Sequence, residues 1–333
     1  MTLEEVAKRA RVSTSTVSRV LNETGPVRPA TRARVLKAIK DLKYQPNLNA
    51  RTLAGGRSQT LGLIVSNLEN PFFLDIFRAL DAKAQEQGYE VLVSSTDYTP
   101  RRLISSVHLM LQRRVAGLVL IICEMDEPLF RDLYEGEVPI VFYDVGSPAP
   151  HVTNIRVDYQ RGVRRIVEYL RVLGHRRFGF VGHHTALSPL LGRKQAFMEI
   201  MKTYGKDVQY AMVDEADSTE GGRRAAHRLM ESGVPPTAIL CINDFMAMGV
   251  IRALKDRGLD VPGDVSVTGF DNISLAQFSI PTLTTANVPR DEVGSMAFEA
   301  LTRSWSPHEV PRTEMLIDPE LVIRDSTGPV KKS

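Results

Sequence analysis

Residues 1–22, MTLEEVAKRARVSTSTVSRVLN, read as two short helices joined by a tight turn. Thr2 and Glu5 have the S/T-x-x-E spacing of a capping box, in which each end of the pair satisfies an orphan amide of the first turn. Leu3, Val6, Ala7 and Ala10 recur at helical spacing and give the first helix one apolar stripe. Arg11-Val12 makes the turn, and Ser13 is placed to cap a second helix. That second helix buries Val17, Val20 and Leu21 and leaves Thr14, Ser15, Thr16, Ser18 and Arg19 on its outer face. So short a helix is not stable alone. With hydroxyls and one Arg on its outer face, it has the make-up of a recognition helix that enters a major groove by its N-terminal end. The plain alternative is an amphipathic hairpin of no function.

Charge is unevenly spread along the 333 residues. The chain carries 42 Lys/Arg and 39 Asp/Glu, net +3. Residues 1–60 hold twelve of the basic and four of the acidic ones, so they stand at +8 and the remainder at −5. A compact basic head on a mildly acidic body is the electrostatic footprint of a duplex-binding module. Two cysteines, Cys123 and Cys241, each close an apolar run and read as small core residues of a reduced protein. No apolar stretch approaches the roughly 18 residues needed to span a bilayer. The N-terminus is charged and amphipathic, unlike a signal peptide. The expectation is a cytoplasmic protein with no membrane partner.

Pro29 suits the first position of a third helix, with Val35, Leu36, Ile39 and Leu42 as its buried stripe. Arg28 stands where Ser or Asp would be expected as the cap. Asn47 then caps a short segment, 48–54, ended by Gly55-Gly56, which as a bare sequence is either an interdomain linker or a conditional helix. From Leu61 the pattern alternates. Apolar runs at 61–66, 90–95, 117–122, 139–144, 178–182, 238–242 and 265–270 read as strands. Helical stripes lie at 71–87, 101–114, 160–173, 189–204, 219–232, 244–257 and 290–302. Fully apolar strands alternating with helices imply parallel sheets covered on both faces, in sufficient number for two sheets. No G-x-G-x-x-G follows the first strand, and neither G-x-S-x-G, H-E-x-x-H nor a P-loop occurs, so an enzyme has no support and no cofactor is implied.

VSTSTVSRVLN followed by YQPNLNARTLAGGRS resembles the N-terminal signature of the LacI/GalR family of bacterial transcriptional regulators. NPFF (70–73), GHRRFGFVG (174–182), INDFMAMGVIRAL (242–254), DVSVTGFDN (264–272), PTLTT (281–285) and LVIRDST (321–327) are similar to that family's effector domain. The resemblance implies a helix-turn-helix headpiece (1–46) and a hinge helix with linker (47–57). It implies next a periplasmic-binding-protein-like α/β body of two lobes, each a doubly wound parallel sheet. The first lobe would comprise 61–158 plus 290–317 and the second 161–286 plus 320–333, with crossings near 158–161, 286–290 and 317–320. The function implied is a dimeric regulator, a repressor rather than an activator, that binds a palindromic double-stranded operator and responds to a small effector. A free sugar-binding protein is disfavoured by the basic head. A non-specific architectural protein would need no cleft residues.

For DNA, Thr14 and Ser15 lead the second helix but are too short for bidentate readout, so Arg19 is the candidate for a guanine O6/N7 contact. Ser13, Thr16, Asn22 and Asn47 are expected at phosphates. The resemblance adds a hinge helix that pairs with its dimer mate in the minor groove through Ala50, Leu53 and Ala54, Leu53 acting as a wedge. For the effector it implies Phe72 and Phe73 stacked on a flat or pyranose-like face, and Arg193, Asn243 and Asp271 as polar contacts. Asp144 ends an apolar strand, a costly place for a charge unless it faces a cleft. A sugar or sugar acid suits these groups, and a purine or other co-repressor is the alternative. His183 and His184 follow a strand, but no Cys, Asp or Glu lies at metal-ligand spacing from them, so a metal is not expected. The absence of a leucine-heptad tail favours a dimer over a tetramer.

Overall fold

The computed structural model describes residues 1–22, 25–44, 58–124, 127–145, 149, 151–184, 188–305 and 314–331. The chain divides into two compact units, 1–58 and 59–333. The first holds α1 (Leu3–Ala10), α2 (Thr14–Asn22) and α3 (Pro29–Asp41). The capping box forms in full. Thr2 Oγ1 accepts from the Glu5 amide at 3.3 Å, and the Thr2 amide donates to Glu5 Oε2 at 2.8 Å. Arg11 ends α1 in the left-handed region (φ 54°), which turns the chain sharply into α2. Val6, Ala7, Ala10, Val17, Val20, Val35 and Ala38 form the small core. Leu36, expected inside, is half exposed, and Ala38 takes the inner position three residues beyond Val35. Arg28 precedes Pro29 without a side-chain cap.

The second unit is built on two six-stranded sheets. The first contains β1 (Thr60–Val65), β2 (Glu90–Ser95), β3 (Leu118–Ile121), β4 (Ile140–Tyr143), β5 (Val152–Val157) and β11 (Glu314–Ile317), in the order β11-β5-β4-β3-β1-β2 and all parallel. The second contains β6 (Arg177–His183), β7 (Gln209–Glu215), β8 (Ala238–Cys241), β9 (Ser266–Asp271), β10 (Thr284–Asn287) and β12 (Glu320–Val322), ordered β12-β10-β9-β8-β6-β7. Here β12 runs antiparallel to β10. Both faces of each sheet are covered. In β1, Leu61, Leu63 and Val65 pack to one side while Ile64 joins Leu103, Val107 and Met110 on the other. The covering helices are α4 (Pro71–Glu86), α5 (Pro100–Gln112), α6 (Glu127–Glu135) and α11 (Arg290–Arg303) in the first lobe. In the second they are α7 (Tyr159–Val172), α8 (Ser188–Tyr204), α9 (Thr219–Met230) and α10 (Asp244–Asp256).

The chain changes sheet after Val157, after Asn287 and again between Ile317 and Glu320. Asp318, in the third crossing, accepts from Arg161 at 2.9 Å and Arg165 at 2.6 Å just past the first, tying the crossings together. Five strands escaped the apolar-run criterion. Residues 152–157 (VTNIRV), 209–215 (QYAMVDE) and 284–287 (TTAN) carry polar side chains that the fold pairs or half-exposes, and β11 and β12 are short edge strands. No described helix is long and apolar enough to cross a membrane.

Candidate functional site

On the first unit, α2 presents Thr14, Ser15 and Arg19 to solvent. Ser13 caps it: its Oγ accepts from the Thr16 amide at 3.3 Å and bonds Ser15 Oγ (2.8 Å) and Thr16 Oγ1 (2.9 Å). These hydroxyls thus prearrange one another at the exposed N-terminal end of the helix. Asn22 closes α2. Asn47, Ala50, Leu53 and Ala54 lie outside the described residues.

In the second unit a cleft opens between the C-terminal ends of the two sheets, where open α/β folds gather their ligand groups. Asn70 caps α4 by accepting from the Phe72 amide (3.1 Å), and Pro71 fixes the first turn. That seats Phe72 and Phe73 on the cleft wall, edge to face at 5.4 Å, with Phe72 also tilted against Tyr143 at 5.7 Å. Both Phe side chains are buried, so core and wall roles coincide.

Arg193 is the buried cation of the cleft. It donates through Nη1 to the Ile242 carbonyl (2.6 Å) and through Nη2 to Asp271 Oδ1 (2.8 Å). Its guanidinium lies 4.8 Å from the Tyr159 ring and 4.5 Å from that of Phe270. Burial acts against its charge, but Asp271, Tyr159, Tyr143 and Asp144 outweigh it and hold the guanidinium more firmly protonated than usual. Burial pushes Asp271 up to about 6 against the pull of Arg193 and Arg290. Asp271 closes β9 at φ 105°, a backbone state that side-chain-bearing residues rarely adopt. Arg290 helps hold it there by donating to the Asp271 carbonyl and to Asp75 Oδ2 (3.0 Å). Asn243 caps α10 through Met246 (2.8 Å) and donates to Asp217 Oδ1 (2.7 Å).

The structure therefore brings Phe72, Phe73, Arg193, Asn243 and Asp271 onto one wall system. Asp144 stands behind it. Its oxygens accept from the Val157 amide (2.8 Å) and the Tyr159 hydroxyl, and burial pushes its pKa up to about 6. It orients Tyr159, which in turn faces Arg193.

Tyr98, Tyr143, Tyr159, Asp217 and Cys123 also line the cleft. Sequence reasoning passed over the first four and read Cys123 as core. Tyr98 sits three residues past β2, on two successive left-handed residues, Asp97 (φ 48°) and Tyr98 (φ 56°). Its hydroxyl crosses the cleft to donate to Asp217 Oδ2. Burial, then Asp217, raise its pKa well above the ordinary tyrosine value. Asp217 follows β7, an edge strand without an apolar run, so its strand-end position gave no signal. His183 is buried with its ring 4.9 Å from that of Tyr98, and His184 is exposed. Among the described residues no cluster of His, Cys, Asp or Glu is arranged to hold a metal.

Residues 2–47 match the model of bacterial regulatory proteins of the lacI family, and residues 167–327 match a periplasmic binding protein-like domain. The HTH-type transcriptional regulator DegA of Bacillus subtilis is 30% identical over 333 residues, which is 99% of this chain and 98% of that protein. This chain belongs to the lacI family. The HTH-type transcriptional repressor CytR of Escherichia coli is 32% identical over 98% of this lacI-family chain and 96% of its own. The PurR repressor of Photobacterium profundum is 32% identical over 98% of each. A crystal structure of the Lac repressor dimer bound to operator and the anti-inducer ONPF superposes with a TM-score of 0.86 at 29% identity, covering 98% of this chain and 99% of that one. The resemblance read from the headpiece and from the strand-end motifs thus extends over the whole lacI-family chain, and it is a regulator's kinship rather than an enzyme's.

Proposed function

We propose that this lacI-family regulator is a repressor that binds a two-fold palindromic operator as a homodimer and is switched by a small effector held in the interlobe cleft. The observation that carries this reading is the conjunction of an exposed helix-turn-helix face with a buried cleft whose wall keeps a polar atom, Arg193 Nε, unpaired. Buried polar groups are rarely left unsatisfied, and one on the wall of an open cleft is within reach of a ligand that can pair it. The likeness to the operator-bound Lac repressor dimer supports the DNA and dimer parts.

In this reading Arg19 contacts a guanine, Thr14 and Ser15 meet base edges, and Ser13, Thr16, Asn22 and Asn47 set register on phosphates. Ala50, Leu53 and Ala54 meet the minor groove, Leu53 as a wedge. One headpiece makes few contacts, and two on one duplex supply the affinity. Effector binding that favours one relative placement of the lobes changes the separation of the hinges, and that difference in affinity between two states is the switch. A sugar or sugar derivative suits the aromatic walls and the Arg193–Asp271 pair. A purine or another small-molecule co-repressor is the second reading.

Selection of bound duplexes from a random DNA pool tests the proposal, with residues 61–333 as control. Enrichment of a two-fold palindrome by the full chain alone is the expected result. Failure to enrich any sequence, with and without sugars and nucleobases present, overturns it.

A further inference from the structure

Among the described residues, the cleft and the groups behind it hold more buried carboxylates than its one cation, Arg193, pairs. Arg193 and Asp271 form a pair in which both side chains are about 95% or more buried, so the guanidinium is already neutralised. Asp217 lies on the same cleft wall, 7% exposed, and among the described residues accepts from neutral donors alone, the Tyr98 hydroxyl and Asn243 Nδ2. Behind Cys123, Glu124 is 2% exposed. It accepts from Ser66 Oγ (2.7 Å), the Cys123 amide (3.0 Å) and Thr96 Oγ1. Among the described residues neither carboxylate meets a Lys or Arg. Buried carboxylates ordinarily have a cationic partner, because hydrogen bonds from neutral donors offset only part of the desolvation cost. One further buried group is unpaired: Arg193 Nε on the wall, its side chain more than nine-tenths buried. The site therefore offers a donor at the Arg193 end and surplus negative charge at the Asp217 end.

We propose that the effector carries a protonated amine that docks against Asp217, with Glu124 supporting it from behind, while a hydroxyl oxygen accepts from Arg193 Nε. Resting on the reading of the cleft as the effector site, this narrows the ligand class to an amino sugar. A sugar acid, which Arg193 by itself suggests, meets a guanidinium already spent on Asp271 and repulsion from Asp217. Asp217 is then the specificity-determining residue, and Tyr98 a placeholder donor that the amine joins or displaces.

The test is binding of matched compounds to the full-length protein, followed by calorimetry and thermal shift. The probes are glucosamine, galactosamine and mannosamine, each beside its neutral parent and the corresponding uronic acid. At least one amine is expected to bind, its neutral parent to bind more weakly by about tenfold to a hundredfold, and the uronic acid not at all. Asp217→Asn should remove the preference for the amine over its neutral parent, read as the ratio of the two affinities in the variant. Equal or tighter binding of a neutral sugar or uronic acid, or no binding by any amine, overturns the amino-sugar assignment. Arg193→Ala separates the two levels. If a compound binds and Arg193→Ala leaves its affinity unchanged, the cleft itself is not the effector site and the broader reading fails as well.

Discussion

Replacing Arg193 by Ala isolates what the buried pair does for the fold. The substitution removes the 2.8 Å bond to Asp271, the 2.6 Å bond to the Ile242 carbonyl and the stacking against Tyr159 and Phe270. Breaking one side of a buried pair costs about 3–5 kcal/mol, most of it from the stranded partner charge. For a chain of this size that lowers Tm by on the order of 5–10 °C. The pH dependence gives the sharper test. Burial has raised Asp271 in the folded state from 3.8 to about 6, equivalent to about 3 kcal/mol. A raised carboxyl contributes stability that is fully present below its unfolded value and is lost as pH rises through the folded one. Without Arg193 the folded value moves higher still, and each further unit adds about 1.4 kcal/mol of loss above it. The variant should therefore be only mildly destabilised near pH 5, where Asp271 is protonated, and strongly destabilised near pH 8. Asp271→Asn in the same chain should recover most of the loss at pH 8. Thermal melts of the unsubstituted chain, Arg193→Ala and the double variant at both pH values measure this. Equal destabilisation by Arg193→Ala at pH 5 and pH 8, with no recovery in the double variant, would refute the charge argument and leave Arg193 as a packing residue.

Other outcomes follow from other parts of the chain. Gly249→Ala places a Cβ 1.8 Å from the Thr219 carbonyl, where α9 and α10 touch through backbone; the helices must separate, and a loss of about 3 kcal/mol or more is expected in denaturant unfolding. Arg19→Ala should cost about 1–3 kcal/mol of operator affinity and relax preference at one base pair, read by gel shift on a base-substitution series. Leu53→Ala should weaken specific operator binding while leaving the salt-dependent non-specific component nearly intact, and equal loss of both would rule out a wedge. Thr2→Ala breaks the capping box and should cost about 1 kcal/mol, seen as earlier loss of headpiece helicity than of the body.

The headpiece was legible because its determinants are local. Thr2 and Glu5 satisfy amides within one turn, Pro29 presets its own φ, and Val6, Val17 and Val35 meet across short connections. The central strands were equally plain, since a strand buried on both faces has to be apolar throughout, as LGLIV and AILC are. The family resemblance carried by the sequence motifs singled out Phe72, Phe73, Arg193, Asn243 and Asp271, which lie at strand ends or on helices beside them. What it left open depended on partners far along the chain. Asp144 ends an apolar strand as a cleft residue would, yet Val157 and Tyr159 claim its oxygens. Tyr98 and Asp217 are 119 residues apart and meet only because two lobes face each other. Cys123 closes a core-like run, and only the placement of β3 beside the cleft puts it on the wall. Periodicity and capping report interactions within a few residues. The destination of a buried charge is settled by whichever groups the tertiary fold brings within hydrogen-bond reach of it.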